Sequence, residues 1–276
     1  MNKTGNRIIL LGGLFFLGSA LIAQFKPEEI ARDKDWEEFM ATAKMTMIRQ
    51  MGGSEAVTNP YQMVLEKDGE KQFAVWKNPE GRPKGYLEGW MWEIAAYRLD
   101  RYLGLNMVPV TIERRYEENR GSLQLWVEGT FPYHDVLEGK AKRPGGIKAF
   151  RFNRAAYLQR AFDNLICNED RHANNILITE DWRLILIDHS RSFRTTGRYG
   201  DSLIFNENSK KFPGTMSALP AVFIEKLKLL TPEVLHQITG PYLTDKEIKA
   251  VLIRRDLILK EIDRLVEKYG KNQVIY

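Results

Sequence analysis

Apolar positions along the chain follow two rhythms, and the switches between them mark the elements. Trp36, Phe39, Met40, Ala43, Met47 and Met51 recur every three or four residues, which predicts an amphipathic helix over residues 35–51 ended by Gly52-Gly53. Tyr61–Lys67 and residues 72–77 then flank Asp68-Gly69, a dipeptide that favours a two-residue hairpin between antiparallel strands. The helical rhythm returns over residues 88–103, with Met91, Ile94, Ala95, Leu99 and Tyr102 on one face and Glu93, Ala96, Tyr97 and Asp100 on another. Residues 108–114 and 122–127 read as two more strands with a polar connection over 116–120.

Residues 133–152 read as a mobile basic connection, with Lys140, Lys142, Arg143 and Lys148 around Pro144-Gly145-Gly146. An apolar-periodic helix follows over residues 154–167. Two short runs, 176–178 and 184–187, surround Glu180-Asp181 and predict a small hairpin. Thr231-Pro232 looks like a helix start, and Thr244 with Glu247 is a capping box that opens a long helix ended by Gly270. Ile248, Val251, Leu252, Leu259, Ile262, Leu265 and Tyr269 are its expected inward residues. The pattern predicts an α+β chain, β-rich over residues 33–130 and α-rich over 131–276.

Residues 1–25 are of different material. Lys3 and Arg7 precede an uncharged apolar run over residues 8–23, with Gly18-Ser19-Ala20 and Ala23 toward its end. A basic start, a short apolar stretch and small residues form the pattern of an export signal, and the run is shorter than the ~20 residues that span a bilayer. A cleaved signal peptide is favoured over a membrane anchor. Both readings put the rest of the chain outside the cytoplasm, exported or membrane-attached.

Composition narrows the classes further. The 276 residues are 43% apolar and 28% charged, enough for a substantial core and too apolar for overall disorder. A net charge of +5 tilts the chain toward anionic partners without marking nucleic acid as one. The single cysteine, Cys167, excludes an intrachain disulfide or a Cys-rich zinc site, and the packing reading is favoured for it. The four histidines lack H-x-x-x-H spacing, which argues against a zinc hydrolase.

The candidate chemistry lies in Asn168-Glu-Asp-Arg-His-Ala-Asn-Asn175 and in Asp188, at the end of the second apolar run. Phosphoryl transfer needs positioning and charge neutralisation more than covalent chemistry. It calls for a carboxylate beside the acceptor hydroxyl and oxygen ligands for Mg²⁺. Asp170 suits the first role, and Asn175 and Asp188 the second. The intervening hairpin would bring those two ligands to neighbouring strand ends. His172 reads either as a base or as a brace of the loop, and Arg171 either as a phosphate neutraliser or as the partner of an acidic neighbour.

Asp170-Arg-His-x-x-Asn175 resembles the catalytic loop of the phosphoinositide 3-/4-kinase-like group, to which small bacterial kinase-like proteins and secretory-pathway kinases are more distantly similar. Ala74-Val-Trp-Lys77 is similar to the kinase strand whose lysine holds the α/β-phosphates, and residues 93–109 resemble the helix and strand that follow it in the bacterial proteins. The resemblance covers roughly residues 35–215. It implies a two-lobed kinase-like fold, use of ATP and Mg²⁺, phosphate binding by Lys77, adenine contact by Val75, and Glu93 as the lysine's partner, with Glu88 in reserve. The acceptor would be a hydroxyl on a protein, lipid head group, sugar or small molecule. Arg191, Arg194, Arg198, Lys210 and Lys211 after Asp188 would favour an anionic one.

The metal-binding triplet is Asp188-His189-Ser190 where many kinases have Asp-Phe-Gly, and no G-x-G-x-x-G loop occurs. That departure, with the scarcity of ATP expected outside the cytoplasm, keeps two alternatives open: a nucleotide-binding pseudokinase and a cell-envelope scaffold without a nucleotide site.

Overall fold

The computed structural model describes residues 24–52, 60–196, 202–207, 209 and 214–276. The apolar run 8–23, the connection through Gly53, Thr58 and Asn59, and the basic residues Arg198, Lys210 and Lys211 lie outside them. Among the described residues no helix is long and apolar enough to cross a membrane.

In chain order the first elements are α1 (Pro27–Ile30), α2 (Asp33–Thr42), β1 (Lys44–Gln50), β2 (Tyr61–Lys67), β3 (Glu70–Lys77), β4 (Glu80–Gly81) and β5 (Glu88–Gly89). Then come α3 (Trp90–Leu103), β6 (Thr111–Tyr116), β7 (Asn119–Leu125), β8 (Thr130–Pro132), α4 (Tyr133–Leu137) and α5 (Gly146–Ile166). The last are β9 (Ile176–Thr179), β10 (Leu184–Leu186), α6 (Ala221–Lys228), α7 (Pro232–Thr239), α8 (Asp245–Tyr269) and α9 (Lys271–Val274). The class is α+β, and every pair of named strands is antiparallel.

A five-stranded sheet of order β1-β2-β3-β7-β6 forms most of the first half. Its β2–β3 turn follows the sequence reading: Asp68 and Gly69 both have positive φ, 52° and 82°, as a type I′ turn requires. The predicted helix over residues 35–51 does not extend that far. It stops at Thr42, Ala43 turns extended, and Lys44–Gln50 pairs with β2 as an edge strand. The register shifts between Thr46 and Arg49, where Met47 takes φ 44° and points to solvent at 77% exposure. The helical phase of Met47 was therefore coincidental; backbone pairing with β2 and the β-branched Thr46 and Ile48 decided the conformation.

Helix α3 buries Ala95, Leu99 and Leu103 in the core that backs this sheet, with Phe39 and Met40 of α2 in the same cluster. Gly104 caps it in the left-handed conformation, φ 74°. On β3, Ala74 and Trp76 are buried, and the Trp76 indole donates to the Arg114 carbonyl at 2.9 Å. Gly121 on β7 lies directly against that ring. A Cβ there would come within 2.5 Å of the Lys77 carbonyl and 2.7 Å of the Trp76 ring. Gly121→Ala is therefore expected to destabilise the chain by about 1–3 kcal/mol, measured from its urea midpoint.

In the second half, α5 begins at Gly146, so residues 146–152 of the expected basic connection are helical, as are residues 133–137. Helices α5 and α8 pack together, and the Thr244/Glu247 capping box forms as the sequence indicates. Ile248, Val251, Ile262 and Leu265 are buried, whereas Leu252 and Leu259 are half-buried and Tyr269 is exposed. Ala250, Ile258 and Arg254 are buried without having been expected; Arg254, 1% exposed, donates to the carbonyls of Leu165 and Arg194, each at 2.8 Å. It satisfies an orphan carbonyl at the end of α5 and ties the segment after Asp188 to that helix. Cys167 ends α5 in the left-handed region, φ 52°, and burial pushes its thiol up to about 11, so it behaves as a packing residue.

Candidate functional site

Strand β3 alternates a buried face of Ala74 and Trp76 with an opposite face of Val75 and Lys77, so Lys77 emerges at the strand's end on the side away from the Trp76 core. Its Nζ lies 3.0 Å from Glu93 Oε1 and 2.9 Å from Asp188 Oδ1, joining three elements far apart in sequence. The alternatives of a solvated strand-end lysine and a solvated helix glutamate do not hold: the side chains are 12% and 2% exposed. Burial alone would lower the Lys77 pKa, but the Asp188 and Glu93 carboxylates hold it above its ordinary value. Burial likewise opposes ionisation of Glu93, yet the Lys77 ammonium and the His189 contacts keep it well below the usual carboxylate range.

Asp188 sits just past β10 with φ 60°, a left-handed conformation that aspartate and asparagine adopt more readily than most residues. Ser190 Oγ is 3.1 Å from Asp188 Oδ1 and 2.5 Å from Glu88 Oε2. Arg191 continues the chain, with Nε 2.5 Å from Glu88 Oε1 and Nη1 3.2 Å from Asp170 Oδ1. Glu88 thus serves Ser190 and Arg191, and Lys77 takes Glu93. An unbroken polar chain leads from Lys77 through Asp188, Ser190, Glu88 and Arg191 to Asp170.

Arg171 takes the second of the roles open to it from sequence, so its place as a catalytic, phosphate-neutralising contact has to be corrected. It is 6% exposed and makes a two-pronged pair with Asp163 of α5, at 2.9 and 3.0 Å. Its Nη1 donates to the carbonyls of Asn175 and Ile187, each at 2.7 Å, and its Nη2 meets His189 Nε2 at 3.0 Å. These bonds hold both ends of the β9–β10 hairpin, which is how Asn175 and Asp188 keep their separation. A planar five-donor guanidinium suits such a hub; an ammonium does not.

Because Arg171 can only donate, His189 Nε2 is the acceptor and the ring proton sits on Nδ1, 3.5 Å from Glu93 Oε2. The His189 backbone N–H donates to the same oxygen at 2.9 Å. Burial keeps His189 below its ordinary pKa, so it is neutral at pH 7. His172, by contrast, is exposed, and its ring makes no hydrogen bond to another described residue, which leaves the bracing role to Arg171.

Asn175 is 5% exposed and donates its Nδ2 to the Asp170 carbonyl at 3.2 Å. The side-chain amide is thereby oriented with its oxygen as the remaining ligand atom. That oxygen and the Asp188 carboxylate, 29% exposed, are hard oxygen donors of the kind that would hold Mg²⁺. The donor set fits the ion.

A cleft of about 450 Å³ opens beside these groups, a size ordinary for a small-ligand site. Val75, Pro109, Leu125, Val127, Leu177 and Ile187 give it apolar walls, while Lys77 and Asp188 stand among its lining residues as the charged groups. Met51 and Pro60 border it as well. Leu125 ends β7, and Trp126 and Val127 begin the link between the sheet and the second half.

The structure therefore brings together Lys77, Glu93, Asp188, Asn175 and Asp170 as one connected cluster and lines the adjoining cleft with Val75. Residues that sequence reasoning missed in this cluster are Asp163, Ser190, His189 and the bridging role of Arg191. Their partners lie up to 103 positions away, and no local pattern signals such pairs. Neither any known protein-family model nor any curated protein sequence matches this chain, so the reading that follows rests on geometry and chemistry.

Proposed function

We propose that the chain is a phosphotransferase with a two-lobed kinase-like fold, moving the γ-phosphate of Mg-ATP to a hydroxyl acceptor. The observation that carries the reading is the Lys77 ammonium held between Glu93 and Asp188 at 3.0 and 2.9 Å beside an apolar cleft. A buried ion pair is an expensive way to stabilise a fold, whereas a fixed ammonium beside an apolar pocket is what a nucleotide's phosphates need.

In this reading the purine lies between the apolar walls near Val75, and Lys77, kept rigid by Glu93, binds the α- and β-phosphates. Asp188 and Asn175 hold Mg²⁺, which supplies neutralisation of the phosphate charge. Asp170 orients the acceptor hydroxyl and takes its proton, a role worth about 10²-fold or more in rate. Arg171 acts only through the positions of Asn175 and Asp188.

A second reading, nucleotide binding without turnover, is favoured by one observation: Arg191 already occupies Asp170 Oδ1 at 3.2 Å. Transfer of labelled γ-phosphate from Mg-ATP to a fractionated cell extract separates the two. The catalytic reading expects labelling by the wild type that Asp170→Asn reduces about 10²-fold or more. Nucleotide binding with no labelling by either protein would overturn it in favour of the second reading.

A further inference from the structure

The first turns of α5 present to solvent side chains that the core does not use. Ile147 and Phe150 are 63% and 50% exposed, and Leu137, which ends α4, is 53% exposed. Helix α4 lies against the same part of α5, where the Tyr133 and Phe152 rings meet at 5.5 Å. Phe152 also packs on Trp182, and Ala155 is buried, so the core takes the other side of the helix. Ile147, Phe150, Arg151 and Arg154 stand at three- and four-residue spacing and share the outward face. Arg154 ends the stripe, its guanidinium 4.4 Å from the centre of the Phe150 ring and 3.5 Å from that of Tyr276.

Charge is concentrated on the same stretch. Residues 137–154 hold Lys140, Lys142, Arg143, Lys148, Arg151 and Arg154 against one acid, Glu138, and that excess equals the net charge of the whole chain, +5. Over the rest of the chain the two signs balance. Lys140 pairs with Glu138 and Asp135, and none of the other five cations has an ion-pair partner among the described residues. Cations alone would suit any polyanion. Exposed aliphatic and aromatic side chains set among them gain from leaving water, and an anionic bilayer offers both, phosphates at its surface and hydrocarbon beneath.

The place where the apolar run 8–23 joins the fold is close by. The Gln24 carbonyl accepts from Arg183 Nη1 at 2.8 Å, and its side-chain oxygen accepts from the Leu184 N–H at 3.1 Å. Trp182, next in the chain to Arg183, lies 5.5 Å from the Phe152 ring of α5. The β9–β10 hairpin thus touches both Gln24 and α5. In the membrane-attached reading of residues 8–23, this is the part of the fold brought toward the lipid.

We propose that the start of α5 and the connection before it form a docking face for an anionic membrane surface. Ile147 and Phe150 enter the boundary between headgroups and acyl chains, while Lys142, Arg143, Lys148 and Arg151 meet lipid phosphates. The proposal concerns where the chain sits. It does not depend on the transfer reading or on any acceptor.

An environment-sensitive fluorophore on Gly145→Cys tests it in the full chain. The position is exposed, its φ of −115° suits any residue, and an added Cβ meets nothing within 4 Å, while Cys167 is buried and stays unlabelled. Vesicles of phosphatidylethanolamine with about one part in three phosphatidylglycerol are expected to shift the emission to the blue, and pure phosphatidylcholine vesicles are not. With K142E/R143E/K148E/R151E the same shift is expected to need at least about tenfold more lipid, and Phe150→Ser is expected to weaken it in the same direction. All five substituted positions are exposed, so thermal melts of these variants should match the wild type. Because the emission reports the surroundings of residue 145, attachment by the N-terminus alone does not produce it. No shift with the anionic vesicles, equal shifts with both lipids, or an undiminished shift in the charge-reversed variant would overturn the proposal. So would a shift that needs no vesicles and grows with protein concentration, the mark of contact between copies of the chain, or one produced by polyglutamate and not by vesicles.

Discussion

Asp188→Asn is expected to cut phosphoryl transfer by about 10³–10⁴-fold while leaving the chain folded. The substitution removes the carboxylate charge that, with the Asn175 amide oxygen, would hold Mg²⁺, and it removes one of the two anions facing Lys77. Folding should survive for three reasons. Asparagine has the same shape, it tolerates the φ of 60° at this position as well as aspartate does, and Glu93 still pairs the Lys77 ammonium at 3.0 Å. Initial rates of ADP formation, with a thermal melt of the same sample, check both halves. Activity within tenfold of wild type in a fully folded variant would refute the metal assignment.

Lys77→Met is expected to carry the largest stability effect at the site, about 3–5 kcal/mol at pH 7. It strips the ammonium from Glu93, whose side chain is 2% exposed, and leaves that carboxylate with only neutral His189 donors and the nearby Asp188. The pH dependence tells this cause from simple loss of packing. In the wild type the Glu93 pKa is depressed, so its contribution is present above the ordinary carboxylate value and is lost as pH falls through the folded one. In the variant burial dominates and Glu93 takes up a proton more readily than in the unfolded chain, so acidification relieves the penalty. Protonation of His189 beside Glu93 would act in the same direction. The difference in stability between the two proteins, from urea unfolding, should therefore be largest near neutral pH and shrink toward pH 5. A difference independent of pH would assign the loss to packing instead.

The sequence was most readable where one local rule settled the structure. Asp68-Gly69 specified its hairpin, Thr244 and Glu247 specified the start of α8, and the runs around Glu180-Asp181 gave the hairpin that separates Asn175 from Asp188. Lys77, Glu93, Asn175 and Asp188 stood out in the sequence through their resemblance to kinase motifs, and in the fold Lys77 lies within hydrogen-bond distance of both Glu93 and Asp188. Reading failed where two local rules competed. Over residues 44–50 the methionines kept a helical phase, yet pairing with β2 won because it satisfied a row of backbone groups. It failed too where a side chain's role depends on how elements pack: no spacing rule pairs Arg171 with Asp163, eight residues back on the preceding helix, and nothing near Arg191 announces Glu88 or Asp170. Burial decides such cases, and burial is a property of the assembled core.

The central claim is that a nucleotide's phosphates lie at Lys77 and Asp188, and equilibrium titration of Mg-ATP into the wild type and into Lys77→Met tests it without reference to any acceptor. The account predicts a single saturable site in the wild type and affinity at least about tenfold weaker in the variant, a loss of roughly 1.4 kcal/mol or more. Wild-type protein that takes up no Mg-ATP, or a variant that binds it equally well, would contradict the account.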